Sequence, residues 1–85
     1  MITVLYFARF REKLGLASEA MALPDDRDST VQTVLDMLAA RGGLWQELFA
    51  GERGVMAAIN QEMAARDSVV LDDDEIAIFP PVTGG

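Results

Sequence analysis

Gly84 and Gly85 form the part of the sequence with the clearest capacity for chemistry. They follow the stretch Phe79-Pro80-Pro81-Val82-Thr83, so the α-carboxylate of Gly85 stands at the end of a stalk that finishes without side chains. Glycine has no Cβ to strike the walls of a narrow active site, and paired prolines hold the stalk extended. We therefore predict that the carboxylate of Gly85 is the reactive group and that it acts inside another protein.

The sequence contains no cysteine and no histidine. Their absence excludes a disulfide framework, a thiolate or imidazole metal site, a cysteine nucleophile and a serine–histidine triad. Carboxylates alone can bind Mg²⁺ or Ca²⁺, and Asp72 to Glu75 form an acidic run. Four consecutive acidic residues cannot all face one ion, so we predict a solvated turn there and no metal site.

Length and charge limit the class of protein further. Eighty-five residues suffice for one small domain. A net charge of −7 opposes binding to nucleic acid, because few cations are available to displace the counterions of phosphates. No run of about 20 apolar residues marks a membrane span, and the first residues do not resemble a signal peptide. We expect a soluble cytoplasmic protein.

The first third of the sequence predicts two strands of the globular domain that carries the tail. Residues 2–7 are apolar on both faces, as in a central strand that is covered on each side. Residues 8–14 form either a short helical turn or an irregular link, which Gly15 closes. Alternation at Glu19, Met21 and Leu23 predicts a second strand that pairs with the first as a hairpin.

The remaining sequence predicts a helix followed by further strands. Ser29 and Gln32 have capping-box spacing ahead of a helix that ends at Gly42-Gly43, and a shorter helical segment through 44–49 follows. We predict a strand over 55–63 that reaches a turn near Asn60-Gln61, and two further strands over 69–71 and 75–79. Trp45 and the methionines are expected in the core. This order indicates an α+β fold of the β-grasp (ubiquitin-like) type, with a globular domain over 1–79 and an extended tail over 80–85.

Three segments of the sequence resemble one known family. They are Tyr6-Phe7-Ala8-Arg9-Phe10-Arg11-Glu12, Ala57-Ala58-Ile59-Asn60-Gln61 and residues 74–85, which end in Phe-Pro-Pro-Val-Thr-Gly-Gly. On the basis of these segments, the sequence resembles the small subunits of molybdopterin synthase. The paired prolines distinguish this family from the thiamine sulfur carriers, which share the final glycines. Asp73 stands where relatives often have a turn glycine, and Asp tolerates the left-handed conformation.

The resemblance implies a ubiquitin-like carrier that is not an enzyme by itself. An E1-like activating enzyme, using ATP and Mg²⁺, would adenylate the carboxylate of Gly85, and sulfuration would convert it to a thiocarboxylate. The tail would then enter the large subunit of the synthase and donate sulfur to cyclic pyranopterin monophosphate, with two carriers in a heterotetramer. No bound cofactor is expected. Partner contacts are implied for these residues: Arg11, which would meet acidic groups of the activating enzyme, Met63, Phe79, Pro80, Pro81, Val82, Thr83 and Gly84.

Three alternatives remain open at this point. A ubiquitin-like protein modifier would use the same acyl-adenylate to join Gly85 to lysines of target proteins, and Lys13 as the only lysine argues weakly against chains of this protein. A thiamine-type sulfur carrier is disfavoured by the two prolines. Catalysis by the acidic residues alone lacks a spaced pair of carboxylates.

Overall fold

The structure, a computed structural model, describes residues 1–24, 28–50 and 54–81. These residues form a mixed sheet of five strands in the order β2-β1-β5-β3-β4, together with three helices, which confirms the predicted α+β class. No helix within the described ranges is long and apolar enough to cross a membrane. In chain order the elements are β1 (Ile2–Tyr6), α1 (Ala8–Leu14), β2 (Ser18–Met21), α2 (Val31–Ala39), α3 (Gly43–Phe49), β3 (Met56–Ile59), β4 (Glu62–Ala64) and β5 (Glu75–Phe79).

Strand β1 lies inside the sheet, antiparallel to β2 and parallel to β5. Ile2, Val4 and Tyr6 are buried, whereas Thr3 is exposed and Leu5 is half-buried. The prediction of a central strand is confirmed, but the prediction that both its faces are covered is wrong. Side chains alternate between the two faces of a strand, and within the described residues the helices pack on one face only.

The hydrophobic core lies between this covered face and the three helices. Each helix contributes at least one fully buried side chain, and the rings of Phe10 and Phe49 lie 5.2 Å apart, which joins α1 to α3. Such burial stabilises the fold by about 1.5–3 kcal/mol for each large apolar side chain. The largest buried side chains are Tyr6, Phe10, Phe49, Ile2, Leu35, Leu38, Ile76, Ile78, Val4, Val31 and Val34.

Helix α2 begins one residue later than the sequence predicts. The hydroxyl of Thr30 accepts a hydrogen bond from the backbone N–H of Thr33, and the backbone N–H of Thr30 donates to the hydroxyl of Thr33. The predicted capping pair of Ser29 and Gln32 is therefore wrong; Ser29 is buried, and its carbonyl accepts from Val70. The helix also ends at Ala39, before the predicted glycine stop.

Strands β3 and β4 form a hairpin around Asn60 and Gln61. Both residues have positive φ, at 50° and 73°, which is the backbone geometry of a two-residue hairpin turn. The predicted turn is confirmed. The predicted single strand over 55–63 is wrong, because the residues after the turn reverse direction and pair with β3 as β4.

The predicted strand over 69–71 is also wrong. Val69 makes only an isolated antiparallel bridge with Thr30, and Val70 donates its N–H to Ser29 at 2.9 Å. This segment pairs with the residues that lead into α2 and does not join the sheet. Leu71 then donates its N–H to Asp74 Oδ2, which starts the turn before β5.

A polar cluster ties β1 and β2 to the connection between α2 and α3. The hydroxyl of Tyr6 donates to Glu19 Oε2 at 2.7 Å, and the guanidinium of Arg41 donates to both carboxylate oxygens of Glu19 at 2.7 and 2.9 Å. Arg41 also lies 4.4 Å from the ring centre of Trp45. Its hydrogen bonds are the main cause of the lowered pKa of Glu19. Burial, and then the bond to Glu19, raises the pKa of Tyr6 far above its ordinary value.

Candidate functional site

The sheet face opposite the helices is apolar and uncovered by the described parts of the chain. The strand register assigns its members: Leu5 pairs with Ala77, Ala77 with Ala58 and Ala58 with Met63 in one row, and Met56 pairs with Phe79 in the next. These positions alternate with the buried Ile76 and Ile78. We call this surface the outer face, and it consists of Leu5, Met56, Ala58, Met63, Ala77 and Phe79.

Small side chains occupy the middle of the outer face and larger ones surround them. Ala58 is only 7% exposed, whereas Met63, its partner on β4, is 63% exposed. Met56 is 37% exposed and Phe79 is half-buried. Such a surface has a shallow depression at its centre, which suits an apolar side chain of a partner protein. Burial of this apolar surface would contribute about 25 cal/mol per Å² to binding.

The C-terminal tail starts at one end of this outer face. Strand β5 ends at Phe79, Pro80 is half-buried and Pro81 is exposed. The backbone N–H of Phe7 donates to the carbonyl of Ile78 at 3.1 Å. This hydrogen bond fixes the end of β5 to the residue that follows β1. The predicted tail residues Val82, Thr83, Gly84 and Gly85 lie outside the described residues.

Helix α1 brings positive charge to the same end of the sheet. It follows β1 directly, and β1 is parallel to β5, so both strands lead to the tail root. Arg9, Arg11 and Lys13 lie on this helix and are exposed, and they are three of the seven cationic residues of a chain with net charge −7. With Glu12, the helix that lies at this end of the sheet carries three cations and one anion, a net charge of +2.

Acidic groups collect at the other end of the sheet. The amino group of Met1 forms an ion pair with Asp72, which raises the pKa of the amine and lowers that of the carboxylate. Asp74 accepts hydrogen bonds from Asn60 Nδ2 at 2.9 Å and from the backbone of Leu71 at 2.8 Å. Asp73 has φ 70°, so the left-handed turn expected at this position is confirmed.

The structure places the sequence-predicted partner residues in two groups. Met63 and Phe79 share the outer face, and Pro80 and Pro81 follow it, whereas Arg11 lies on α1 beside the tail root. No group of three or more acidic side chains able to hold a metal ion occurs among the residues described.

Sequence reasoning missed most of the outer face. The sequence patterns assign no surface role to Leu5, Ala58 or Ala77. The prediction that the methionines lie in the core is wrong for Met1, Met56 and Met63, which are 59%, 37% and 63% exposed. The available signal was the alternation in residues 75–79, since Ala77 and Phe79 must lie opposite to the apolar Ile76 and Ile78. A strand with apolar residues on both faces needs a second cover, and none of the elements in the described residues supplies it.

The fold and the exposed apolar sheet define a ubiquitin-like β-grasp protein. A solved structure described as a putative molybdopterin converting factor, subunit 1, from Pyrococcus furiosus matches with a TM-score of 0.76 at 27% identity, over 95% of this chain and 97% of that one. The small archaeal modifier protein 1 of H. volcanii matches with a TM-score of 0.69 at 27% identity, over the same shares. The predicted β-grasp fold is thus confirmed.

The chain belongs to the ThiS family, whose model matches residues 4–85. It is 44% identical to the molybdopterin synthase sulfur carrier subunit of Haemophilus influenzae and 38% identical to that of Escherichia coli, in both cases over 100% of each chain. The resemblance to the small subunits of molybdopterin synthase is therefore confirmed. These names support a sulfur carrier that works as one subunit of a larger enzyme.

Proposed function

We propose that this protein carries sulfur for molybdopterin synthase as a thiocarboxylate on Gly85. The observation that carries the proposal is the full-length identity to two proteins named as the sulfur carrier subunit of that enzyme. The outer face supports it, because an apolar surface that runs to the root of the tail gives a partner something to hold while the tail enters its active site.

The chemistry of this cycle requires activation by another enzyme. A carboxylate is a poor electrophile, so its oxygen first becomes part of a leaving group when an E1-like enzyme transfers AMP from Mg²⁺-bound ATP to Gly85 and releases pyrophosphate. A sulfur donor at the oxidation level of hydrosulfide then attacks the acyl carbon, the bond to AMP breaks, and loss of a proton leaves the thiocarboxylate. A thioacid is largely ionised at neutral pH, so the loaded tail needs no general base from its own chain. A chain without histidine or cysteine can perform this task.

The loaded carrier then serves the large subunit of the synthase. Its tail would enter that subunit and donate sulfur to cyclic pyranopterin monophosphate, in a cytoplasmic heterotetramer with two carriers. Ordering the tail costs about 1–2 kcal/mol per residue, and Pro80 and Pro81 reduce this cost because their backbone is already restricted. Contacts of Phe79 and Met63 on the outer face, and of Arg11 on helix α1, supply the compensating free energy.

Mass spectrometry of the C-terminal peptide tests this proposal. The purified protein is incubated with the activating enzyme, ATP, Mg²⁺ and a sulfur donor, and the peptide is fragmented. We expect one oxygen of the Gly85 carboxyl group to be replaced by sulfur. A peptide that stays unmodified under conditions that convert a known carrier would contradict the proposal.

Deleting Gly85 provides the matched control. The shortened chain still ends in glycine, and the last described strand ends at Phe79, six residues earlier. The thermal unfolding of the shortened protein should therefore match that of the full-length protein. Loading should nevertheless be lost, because the carboxylate is withdrawn by about 3.5 Å from the attacked position. If the shortened protein is loaded with sulfur at the same rate as the full-length protein, the proposed role of the Gly85 carboxylate is wrong.

A protein modifier is the second candidate function, because one structural neighbour is named as a modifier protein. In that case the acyl-adenylate of Gly85 would react with lysine amines of target proteins and form isopeptide bonds. Epitope-tagged protein expressed in cells would then appear in high-mass adducts that resist boiling in detergent and disappear when Gly85 is deleted. A carrier that only transfers sulfur gives no such adducts.

A further inference from the structure

Two methionines lie on the outer face: Met56, which pairs with Phe79, and Met63 on the neighbouring strand β4. Met63 is 63% exposed and Met56 is 37% exposed, whereas Met21 is 6% exposed and Met37 is half-buried. Met63 pairs across the strands with Ala58, whose methyl group does not cover it, and β4 is the last strand of the sheet. The Met63 thioether is therefore open to solvent from above and from the sheet edge.

We propose that Met63, with Met56 beside it, is an oxidation site at which peroxide forms methionine sulfoxide and so weakens docking of the outer face. Susceptibility of methionine to oxidants follows its exposure, and both residues lie where an added oxygen would enter an apolar contact. With no cysteine in the chain, methionines are the sulfur groups that react with peroxide before sulfur is loaded.

The reaction balances with hydrogen peroxide as the only co-reactant. A lone pair of the thioether attacks one peroxide oxygen, the O–O bond breaks and an S–O bond forms. The second oxygen leaves as water after proton transfer. Sulfur loses two electrons and peroxide gains them. The product is a polar sulfoxide, which methionine sulfoxide reductases can return to the thioether.

The effect on docking follows from the position of the two residues and rests on the proposed function. The fold should survive, because Met63 contributes little to the core and its oxidised group faces solvent. A partner that covers the outer face must instead bury the sulfoxide oxygen. A buried acceptor without a donor costs enough to weaken binding about tenfold, which equals about 1.4 kcal/mol.

Met1 provides an internal comparison of equal exposure. It is 59% exposed, and it lies at the acidic end of the sheet, paired with Asp72, away from the tail root. Its oxidation should be as fast as that of Met63, since both side chains are similarly accessible, but it should not affect docking. This contrast separates a specific site from general oxidative damage.

The first experiment maps oxidation in the unloaded protein. Limited hydrogen peroxide is removed with catalase, and peptides are fragmented to locate each added oxygen. Fragmentation is needed because oxygen addition and the replacement of oxygen by sulfur change the mass almost equally. We expect Met63 and Met1 to react first, Met56 next and Met21 last. If Met63 reacts no faster than Met21, the proposal is overturned, whatever the protein does in the cell.

The second experiment measures loading by the activating enzyme before and after peroxide treatment. Each variant is compared with its own untreated sample. We expect wild type to lose about tenfold in kcat/KM and to regain it after treatment with methionine sulfoxide reductases. The double variant M56L/M63L, which keeps Met1, should lose nothing on oxidation, and M37L should lose as much as wild type.

The outcomes distinguish this proposal from the proposed function. If untreated wild type is not loaded at all, the carrier function is wrong, and the oxidation map still decides whether Met63 is the reactive site. If untreated protein is loaded and M56L/M63L is inactivated by peroxide as strongly as wild type, the outer-face methionines are not responsible. Equal loading of oxidised and untreated wild type likewise overturns the proposed effect on docking.

Discussion

Met56 and Phe79 lie directly opposite each other on the antiparallel strands β3 and β5. The pair forms the end of the outer face from which the tail leaves, so Phe79 is both a side chain of the sheet and the last residue before the prolines. Only Pro80 and Pro81 lie between a docking contact at Phe79 and the last four residues of the tail. This arrangement suggests that Phe79 sets the direction in which the tail enters a partner.

Replacing Phe79 with alanine tests its role in docking. Phe79 is half-buried, so F79A should cost about 2 kcal/mol of unfolding free energy, below the 3–5 kcal/mol of a fully buried phenylalanine. Affinity for the activating enzyme should fall about 30-fold, as expected for a large aromatic side chain that a partner buries. Titration calorimetry measures the affinity, and chemical denaturation measures the free energy of unfolding. L23A, which changes another partly buried side chain away from the outer face, should cost stability without affecting affinity.

Replacing Arg11 with alanine tests the basic tail root. Arg11 is exposed on α1, so the unfolding free energy should change by less than about 0.5 kcal/mol. The association rate with the activating enzyme should fall several-fold at low salt, and the difference should shrink at high salt, because screening weakens exposed charges. Stopped-flow measurements of the association rate at several salt concentrations test this expectation. The variant K13A removes the same charge from the same helix, and an equal effect would show that Arg11 has no specific acidic partner.

Glu19 makes the stability of the fold dependent on pH. Its pKa is lowered from 4.5, chiefly by the hydrogen bonds from Arg41, so the ionised form stabilises the native state. That contribution is present above the unfolded pKa and is lost as the pH falls through the lower native pKa. E19Q should be less stable than wild type by about 1 kcal/mol at pH 7, and the difference should narrow between about pH 5 and pH 3. A difference that is constant with pH would contradict the role of the carboxylate.

Asn60 fixes the hairpin turn to the turn before β5. Its side chain donates to Asp74 and accepts from the backbone N–H of Glu75 at 3.0 Å, and its φ is 50°. N60A should cost about 2 kcal/mol, from two lost hydrogen bonds and the left-handed backbone. N60G removes the same hydrogen bonds but accepts the backbone angle, so it should cost less. Denaturation of both variants separates the two contributions, and equal losses would show that the backbone angle contributes nothing.

Local patterns were sufficient to predict most of the architecture. The apolar stretch over 2–7, the helical spacing of Val31, Val34 and Leu35, and the alternation in 75–79 all matched elements of the structure. These signals succeed because burial of one face leaves a period of 2 or 3.6 in the sequence. The turn at Asn60-Gln61 was also found, since asparagine tolerates positive φ.

The errors arose where tertiary contacts override local preference. Ser29 and Thr30 are both good caps. In the fold the carbonyl of Ser29 accepts a hydrogen bond from the backbone N–H of Val70, and Thr30 forms the capping box with Thr33. Residues 69–71 have a strand-like composition, yet the edge positions of the sheet are already taken by β2 and β4. The outer face escaped notice because apolar residues on an uncovered surface cannot be distinguished by type from those of a core.

The parallel pairing of β1 with β5 has a practical consequence for handling the protein. Because the two strands run in the same direction and are adjacent, Met1 lies level with Asp73. Pro80 lies seven residues further along β5, so the two residues are at opposite ends of the sheet, about 23 Å apart. A surface or a fluorescent label attached through the first residue should therefore leave Gly85 free to enter an enzyme. Single-molecule measurements of sulfur loading could use such an anchor without obstructing the reaction they observe.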